Sequence, residues 1–333
     1  MNQQESVLVT GGCGYIGSHV TRMLSEQGYR VVVYDNLSTG FRSSLIHNEA
    51  LIVADLADIN ALDRTFSEYN VRHVLHFAAS IVVPESVEKP LLYYRNNTVN
   101  TINLLDVCAK HKVRSVMFSS TAAVYGETTQ AMVDENTPTQ PSNPYARSKL
   151  MDEEILRDVN IAFPDLHFVI LRYFNVAGAD PLARIGQRSP NATHLIKVAC
   201  ETALGKREKM LLYGSDYPTR DGTCIRDYIH IEDLASAHLL ALRYLMDRGE
   251  SVTLNCGYGH GYTVKEVLKT TGEVHGTPIP HDIVGRRQGD VSALVADSRK
   301  LAKLFNWVPQ YADLRKIVSS AYEWEKKVQK GLL

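Results

Sequence analysis

The sequence predicts an α/β protein with a doubly wound parallel sheet followed by a smaller α/β region. Three observations carry that expectation. An apolar, β-branched strand from Ser6 to Thr10 runs into Gly11, Gly14 and Gly17 and then a helix-compatible stretch. A second apolar strand, Arg30 to Tyr34, ends in Asp35, about 20 residues further on. Strands and helices then alternate as far as Asn175, after which the alternation weakens. The expected division is a Rossmann-type dinucleotide-binding domain over residues 1–175 and a substrate-binding domain over 176–333, with some chain crossing between them.

The glycines of the first turn have separate tasks. Gly11 and Gly14 allow backbone angles closed to other residues and a close approach to phosphate, and Gly17 lets the helix pack tightly on the strand. Free amides at the helix start face the anion. Asp35 would accept from the adenosine ribose hydroxyls and repel a 2′-phosphate, which favours NAD over NADP, although Arg42 lies just beyond. A second glycine-rich stretch, Gly257, Gly259 and Gly261, reads as an ordinary loop.

Further along, residues 36–48 read as a loop near the adenosine, and a short strand from Leu51 ends at Asp55, a candidate for the adenine edge. A helix from Asp58 to Tyr69 precedes the strand His73–Phe77, which runs into Ala78 and Ala79. One long helix is expected from Pro90 to Lys112; its Asn96, Asn97 and Asn100 read either as solvated or hydrogen-bonded surface or, for Asn96, as cofactor contact. The strand from Ser115 to Phe118 delivers Ser119, Ser120 and Thr121 at its carboxyl end, where ligands bind in such sheets. Pro144 suits the first turn of a helix running to about Asn160, and the strand His167–Leu171 leads to Tyr173 and Asn175. The remaining elements are shorter: a helix from about Thr193 to Leu204, a strand Met210–Tyr213, an extended segment Asp227–Ile231 and a helix Glu232–Met246.

Composition sets the outer bounds. With 333 residues, 44% of them apolar, the chain can bury a large core, and a net charge of −1 offers no footprint for nucleic acid or an anionic membrane. Five cysteines without short spacing suggest buried thiols in a reducing cytoplasm rather than disulfides or zinc, so no metal is expected. The start of the chain carries no apolar signal core, and no run approaches the ~18 apolar residues of a membrane span.

Tyr145 and Lys149 lie four apart on one helix face, beyond a strand that presents Thr121. A neighbouring ammonium and a positive nicotinamide would lower the phenol's pKa, making Tyr145 a base, while Thr121 would hold the substrate oxygen in line. The same spacing recurs at Tyr322 and Lys326 on the C-terminal helix, where the expectation is solvated surface.

Taken together, Thr10-Gly-Gly-Cys-Gly-Tyr-Ile-Gly-Ser-His19, Ser119-Ser-Thr-Ala-Ala-Val-Tyr-Gly126, Asn143-Pro-Tyr-Ala-Arg-Ser-Lys-Leu150, Leu171-Arg-Tyr-Phe-Asn175 and Arg226-Asp-Tyr-Ile-His230 resemble the UDP-glucose 4-epimerases, a branch of the extended short-chain dehydrogenase/reductases. The resemblance covers nearly the whole chain. It implies an isomerase that interconverts UDP-galactose and UDP-glucose with a retained NAD: Tyr145 takes the 4-hydroxyl proton, a 4-keto sugar forms, rotates and is reduced on its other face. It further implies that Gly11, Gly14, Tyr15, Ile16, Gly17, Asp35, Asn36, Asp55, Leu56, Phe77, Ala78, Ala79, Asn96, Ser119, Tyr145, Lys149 and Tyr173 line the cofactor. On the substrate side it implies Thr121, Tyr145, Asn175, His194 and Leu195 in the pocket, Tyr213 stacked near uracil, Arg226 and Arg287 on the diphosphate, Asp290 on a ribose hydroxyl, and Leu294 at a position whose size governs entry of N-acetylated sugars, leaning toward exclusion. A cytoplasmic homodimer is implied on the same basis.

Departures from the family pattern are informative. Ile81 stands where many members carry a lysine, His194 where Asn is frequent and Thr121 where Ser is common. Ala122 and Ala123 occupy the places where related sugar-nucleotide 4,6-dehydratases have an Asp-Glu pair, which argues against elimination chemistry. Epimerases of other UDP-sugars share these motifs, and the intact Thr121, Tyr145 and Lys149 argue against an idle NAD-binding regulator.

Overall fold

The structure, a computed structural model, describes residues 5–128, 130–189, 192–287 and 290–332. Gln288 and Gly289, within the run from Arg286 to Asp290, lie outside the described residues, as does the start of the chain up to residue 4.

In chain order the strands are β1 (Ser6–Thr10), β2 (Val31–Asp35), β3 (Ala50–Val53), β4 (Val71–His76), β5 (Ser115–Thr121), β6 (Met132–Val133), β7 (His167–Tyr173), β8 (Asn175–Ala177), β9 (Met210–Tyr213), β10 (Ile225–His230), β11 (Val252–Cys256), β12 (Gly261–Thr263), β13 (His281–Val284) and β14 (Ala293–Ala296). The helices are α1 (Tyr15–Glu26), α2 (Ile59–Tyr69), α3 (Val83–Glu88), α4 (Pro90–Tyr93), α5 (Asn100–Lys110), α6 (Pro144–Ala162), α7 (Leu195–Ala203), α8 (Ile231–Arg248), α9 (Val264–His275), α10 (Arg299–Phe305) and α11 (Leu314–Gln329). The chain forms two compact units, Met1–Val124 with Thr139–Arg172 and Ala235–Leu254, and Tyr125–Pro138 with Tyr173–Leu234 and Asn255–Leu333. Residues 125–138, expected in the first region, group with the second unit, and 235–254 return to the first.

The first unit is built on a seven-stranded sheet of order β11-β7-β5-β4-β1-β2-β3. The pairs β1–β2, β2–β3, β1–β4 and β4–β5 are parallel. Successive strands are added on one side of β1 as far as β3 and then on the other side from β4 onward. That reversal creates a switch point at the carboxyl ends of β1 and β4, where α/β sheets hold their ligands. Leu8, Val32, Val74, Val116 and Ile170 from the strands pack with Leu62, Phe66, Leu104 and Leu156 from the helices in one apolar cluster. The strands read as continuous apolar runs because helices cover both faces.

The long helix expected from Pro90 to Lys112 is interrupted: α4 gives way to a π-helical turn over Tyr94–Val99 before α5 begins. Such turns shift the side-chain register and recur at functional sites. Here the shifted turn carries Asn97, only 1% exposed, whose Oδ1 accepts from Ser80 N at 2.8 Å while Nδ2 donates to Ser80 O at 3.1 Å and Ser148 Oγ at 2.9 Å. The amide thus ties the segment after β4 to α6. Asn100, also buried, donates to Asp55 Oδ1.

The second unit contains the path β12-β10-β14-β6 with β8 on β10, and a separate parallel pair β9–β13. Ile196, Cys200, Tyr228, Val267, Ile317 and Val318 form its main apolar cluster. Two expectations are corrected here. The stretch from Gly257 to Gly261 is not an ordinary loop: Tyr258 N and Gly259 N donate to the buried Asp227 carboxylate, and a Cβ on Gly257 would lie 2.7 Å from Asp227 Oδ2. Tyr322 is not solvated surface; it is 8% exposed within the apolar cluster, because α11 turns that face inward.

Candidate active site

The turn between β1 and α1 is held by its own backbone. Gly11 sits at φ 70°, Gly14 N donates to Gly11 O at 3.0 Å, and Ser18 N donates to Gly14 O at 3.0 Å. A Cβ on Gly17 would lie 2.2 Å from Gly11 O, and one on Gly11 would lie 2.7 Å from Ala78 N. The α1 N-cap is Gly14, which supplies no side-chain cap, and the first turn holds no acidic residue, so no side chain of its own competes with an external anion there. Tyr15 and Ile16 open that helix. These features fit the diphosphate of a dinucleotide, and side chains at the glycines would fill the space the turn requires.

Asp35 ends β2 and is 7% exposed; its carboxylate accepts from Cys13 N at 2.9 Å and Leu37 N at 2.8 Å. Those amides fix the orientation of the carboxylate. Asn36 Nδ2 donates to Asp55 Oδ2 at 2.7 Å, Ala57 N donates to Asp55 Oδ1, and Leu56 is buried in the core. Phe77 N donates to Thr10 O at 3.0 Å, and Ala78 and Ala79 continue from the carboxyl end of β4. Asn96 donates to Ser80 Oγ at 2.9 Å, and Ile81 is exposed.

The acid–base side chains lie on β5 and α6 of this same unit. Ser119 and Thr121 end β5; Thr121 Oγ1 accepts from Ala123 N. Asn143 caps α6 by accepting from Ala146 N at 2.9 Å, and Pro144 follows as the first helical residue, which fixes the helix start beside Tyr145. Lys149 is 2% exposed, with Nζ 4.7 Å from the centroid of the Phe118 ring. Burial pulls its pKa down to about 8, while Asp152 and Glu153 pull it back up. Burial raises the Tyr145 phenol, and the Thr121 hydroxyl works against that rise. Among protein groups, then, burial outweighs the lowering expected for Tyr145. Glu153 is pushed up by burial, but Arg172 Nη2 at 2.6 Å, Ser120 Oγ at 2.6 Å and Arg157 Nη2 at 2.9 Å hold it below the usual carboxylate range.

Apart from Thr121 and Tyr145, the residues expected to bind substrate belong to the second unit, together with Tyr173, which is buried there. Asn175, His194 and Leu195 line one pocket with Gln187, Tyr228 and Trp324. Gln187 and Trp324 carry no motif that would have identified them. Gln187 Nε2 donates to His194 Nδ1 at 2.9 Å, and Trp324 Nε1 donates to Gln187 O at 3.0 Å. Elsewhere in the unit the Arg287 guanidinium lies 4.3 Å from the Tyr213 ring centroid. Arg226 donates to Val291 O at 2.8 Å and pairs with Asp290 at 3.3 Å, and Leu294 is its register partner on β14. Two of the expected groups therefore already brace each other.

The parallel sheet, the glycine turn and the Tyr145–Lys149 pair beside Thr121 define a class: Rossmann-type proteins that use a dinucleotide for acid–base-assisted redox chemistry. Residues 7–257 match the family described as NAD dependent epimerase/dehydratase, and the chain belongs to that family. It is 50% identical over 326 residues to a UDP-glucose 4-epimerase of Azospirillum brasilense, covering 98% of this chain and 93% of that protein. The fold matches a crystal structure of UDP-glucose 4-epimerase from Brucella ovis in complex with NAD at a TM-score of 0.93 and 42% identity, covering 96% and 98% of the two chains. It also matches that of Bifidobacterium longum in complex with NAD+ and UDP at a TM-score of 0.91 and 38% identity, covering 98% and 99%. Among the described residues, no helix is long and apolar enough to cross a membrane.

Proposed function

We propose that this protein is an isomerase that interconverts UDP-galactose and UDP-glucose by inverting C4 of the sugar. The observation that carries the reading is the presence, in a chain alike over almost its full length to UDP-glucose 4-epimerases, of a buried Lys149 one turn beyond Tyr145 with Thr121 acting on the phenol. The cofactor is NAD, which when bound supplies the acceptor and donor of the C4 hydrogen with its electron pair. Gly11, Gly14, Tyr15, Ile16 and Gly17 hold its diphosphate, and Asp35 its adenosine ribose.

In the proposed reaction Thr121 Oγ1 holds the substrate 4-oxygen and Tyr145 Oη takes its proton, leaving a 4-keto sugar. The Lys149 ammonium stabilises the charged phenol and offsets the burial that otherwise favours its neutral form. After rotation of the keto sugar about its link to the diphosphate, Tyr145 returns the proton to the inverted hydroxyl. Arg226 and Arg287 suit the diphosphate through forked donors, with Asp290 on the uridine ribose and Tyr213 beside the base. Asn175, His194 and Leu195 contact the sugar, and a loose grip there is part of function, since a sugar held in one orientation could not invert. Leu294 disfavours an N-acetyl group.

Incubating the purified protein with UDP-galactose, without added NAD, and resolving the products is expected to yield UDP-glucose. No UDP-glucose, with or without NAD supplied, would overturn the reading. In the same panel UDP-GalNAc is expected to turn over more slowly than UDP-galactose.

A homodimer completes the proposal. Val87, Leu91 and Leu92 on α3 and α4, with Ile102 on α5 and Met151 on α6, are exposed apolar residues of the first unit that a second copy would cover. Light scattering is expected to give twice the chain mass, and a monomer would remove this part. A cytoplasmic setting goes with five free, buried cysteines.

A further inference from the structure

Asp152 has no part in the roles above, although it is as deeply buried as Glu153 beside it. It follows Lys149 by three residues on α6, so the two share a helix face, and it is 0% exposed. Its neighbour Glu153 is saturated by Ser120, Arg157 and Arg172. Asp152 has no such set: neither oxygen makes a well-formed hydrogen bond. Burial raises its carboxyl to about 7, with Lys149, then the Thr98 and Thr101 hydroxyls, pulling it down and Glu153 pushing it up. A lone carboxylate this deep would stay neutral, so the lysine is what makes its charge tolerable.

The groups on the neighbouring elements favour that charge. Thr10 Oγ1 lies 2.6 Å from His76 Nδ1, and His76 Nε2 lies 2.9 Å from Thr101 Oγ1. Burial and the Lys149 charge hold His76 neutral, with its pKa lowered to about 3. With the proton on Nε2, Thr10 donates to His76, His76 donates to Thr101, and the Thr101 hydrogen is free for Asp152. Ala78 N, at 3.5 Å from Thr10 Oγ1, begins this chain at the carboxyl end of β4. The series runs from β1 through β4 to α5 and ends at the Thr101 hydroxyl.

We propose that Asp152 is a positioning residue of the acid–base site: its buried carboxylate, on the Lys149 face of α6 and beside the Thr10–His76–Thr101 chain, keeps the Lys149 ammonium charged and thereby keeps Tyr145 able to exchange a proton. The inference rests on the reading of Tyr145 and Lys149 given above. Lys149 and Asp152 titrate as a pair, so removing the aspartate charge lets the lysine lose its proton at lower pH.

The test is Asp152→Asn in the NAD-loaded enzyme, an almost isosteric change. The high-pH limb of kcat is expected to move acidward by about one pH unit. Turnover then falls roughly tenfold near pH 8 and converges on the unsubstituted enzyme near pH 6, where Asp152 itself is largely protonated. A tyrosinate absorbance titration of the same samples is expected to show the Tyr145 phenol ionising at higher pH. Uniform loss at every pH with an unshifted titration would mean a structural role only and would overturn the proposal. If Asp152→Asn does not fold, Thr101→Val, which keeps the carboxylate but removes its donor, should shift both readouts in the same direction by less, and no shift overturns it. If the unsubstituted enzyme fails to epimerise any UDP-sugar, the functional reading falls, while the tyrosinate titration still decides for or against Asp152.

Discussion

The chain carries the pattern Tyr-x-x-x-Lys twice on helices, and the two copies have opposite burial. On α6, Lys149 is buried at 2% exposure against the Phe118 ring, and the Tyr145 phenol is engaged by the Thr121 hydroxyl. On α11 the tyrosine is the buried member: Tyr322 packs in an apolar cluster, and its hydroxyl lies 2.9 Å from His275 Nδ1. Lys326 lies 5.6 Å from the Tyr322 ring centroid and pairs with Glu323 at 3.1 Å. A phenol tied to an imidazole in a core is a packing element, and a lysine paired with a surface glutamate remains in contact with water. Of the two, the α6 pair has a desolvated ammonium and a phenol beside a second hydroxyl, that of Thr121, the conditions that suit acid–base work. Burial of the lysine separates the copies, whereas their spacing does not.

The largest effect that would break this contrast comes from Tyr145→Phe. If Tyr145 is the base, kcat falls by on the order of 10²- to 10⁴-fold, the range a positioned acid–base group contributes. NAD content, measured by releasing the cofactor from denatured protein, should stay unchanged, because the glycine turn and Asp35 are untouched. Near-normal turnover would remove Tyr145 from the role and with it the distinction between the two helices.

The same contrast shows how far the sequence could be read. The glycine turn, the alternation of strands and helices, and the start of the helix that carries Tyr145 and Lys149 were legible because each depends on local chemistry: φ at Gly11, a cap at Asn143, a spacing of four on one helix. Residues whose task is set by distant partners were not. Asn97 looks like any polar helix residue until the π turn brings it to Ser80 and Ser148. Gln187 becomes a pocket residue only through His194 and Trp324. The Gly257–Gly261 stretch shows the same limit, since its amides are used by Asp227, whose carboxyl burial raises to about 6. Glycine spacing alone does not say which distant group the amides of such a turn will meet. The crossing of residues 125–138 and 235–254 between units also depends on long-range pairing, such as Asn255 Nδ2 donating to Val133 O at 2.9 Å within the second unit.

The smallest effect sharpens the contrast from the other side. Tyr322→Phe removes one hydroxyl and leaves the ring in its cluster, so packing with Ile317 and Val318 is retained. What is lost is the hydrogen bond to His275, whose ring also meets Tyr322 edge-on at 5.8 Å between centroids. His275 sits in the last turn of α9 and is only partly buried, so water can take the place of the lost hydroxyl. The cost should therefore fall toward the lower part of the range of about 0.5–1.5 kcal/mol for a neutral hydrogen bond. Urea unfolding is expected to show a slightly lower midpoint at an unchanged slope, with kcat and KM for UDP-galactose unaltered. A loss of turnover comparable to that of Tyr145→Phe would show that burial does not separate the two pairs, and the α11 tyrosine would then need a role in the reaction.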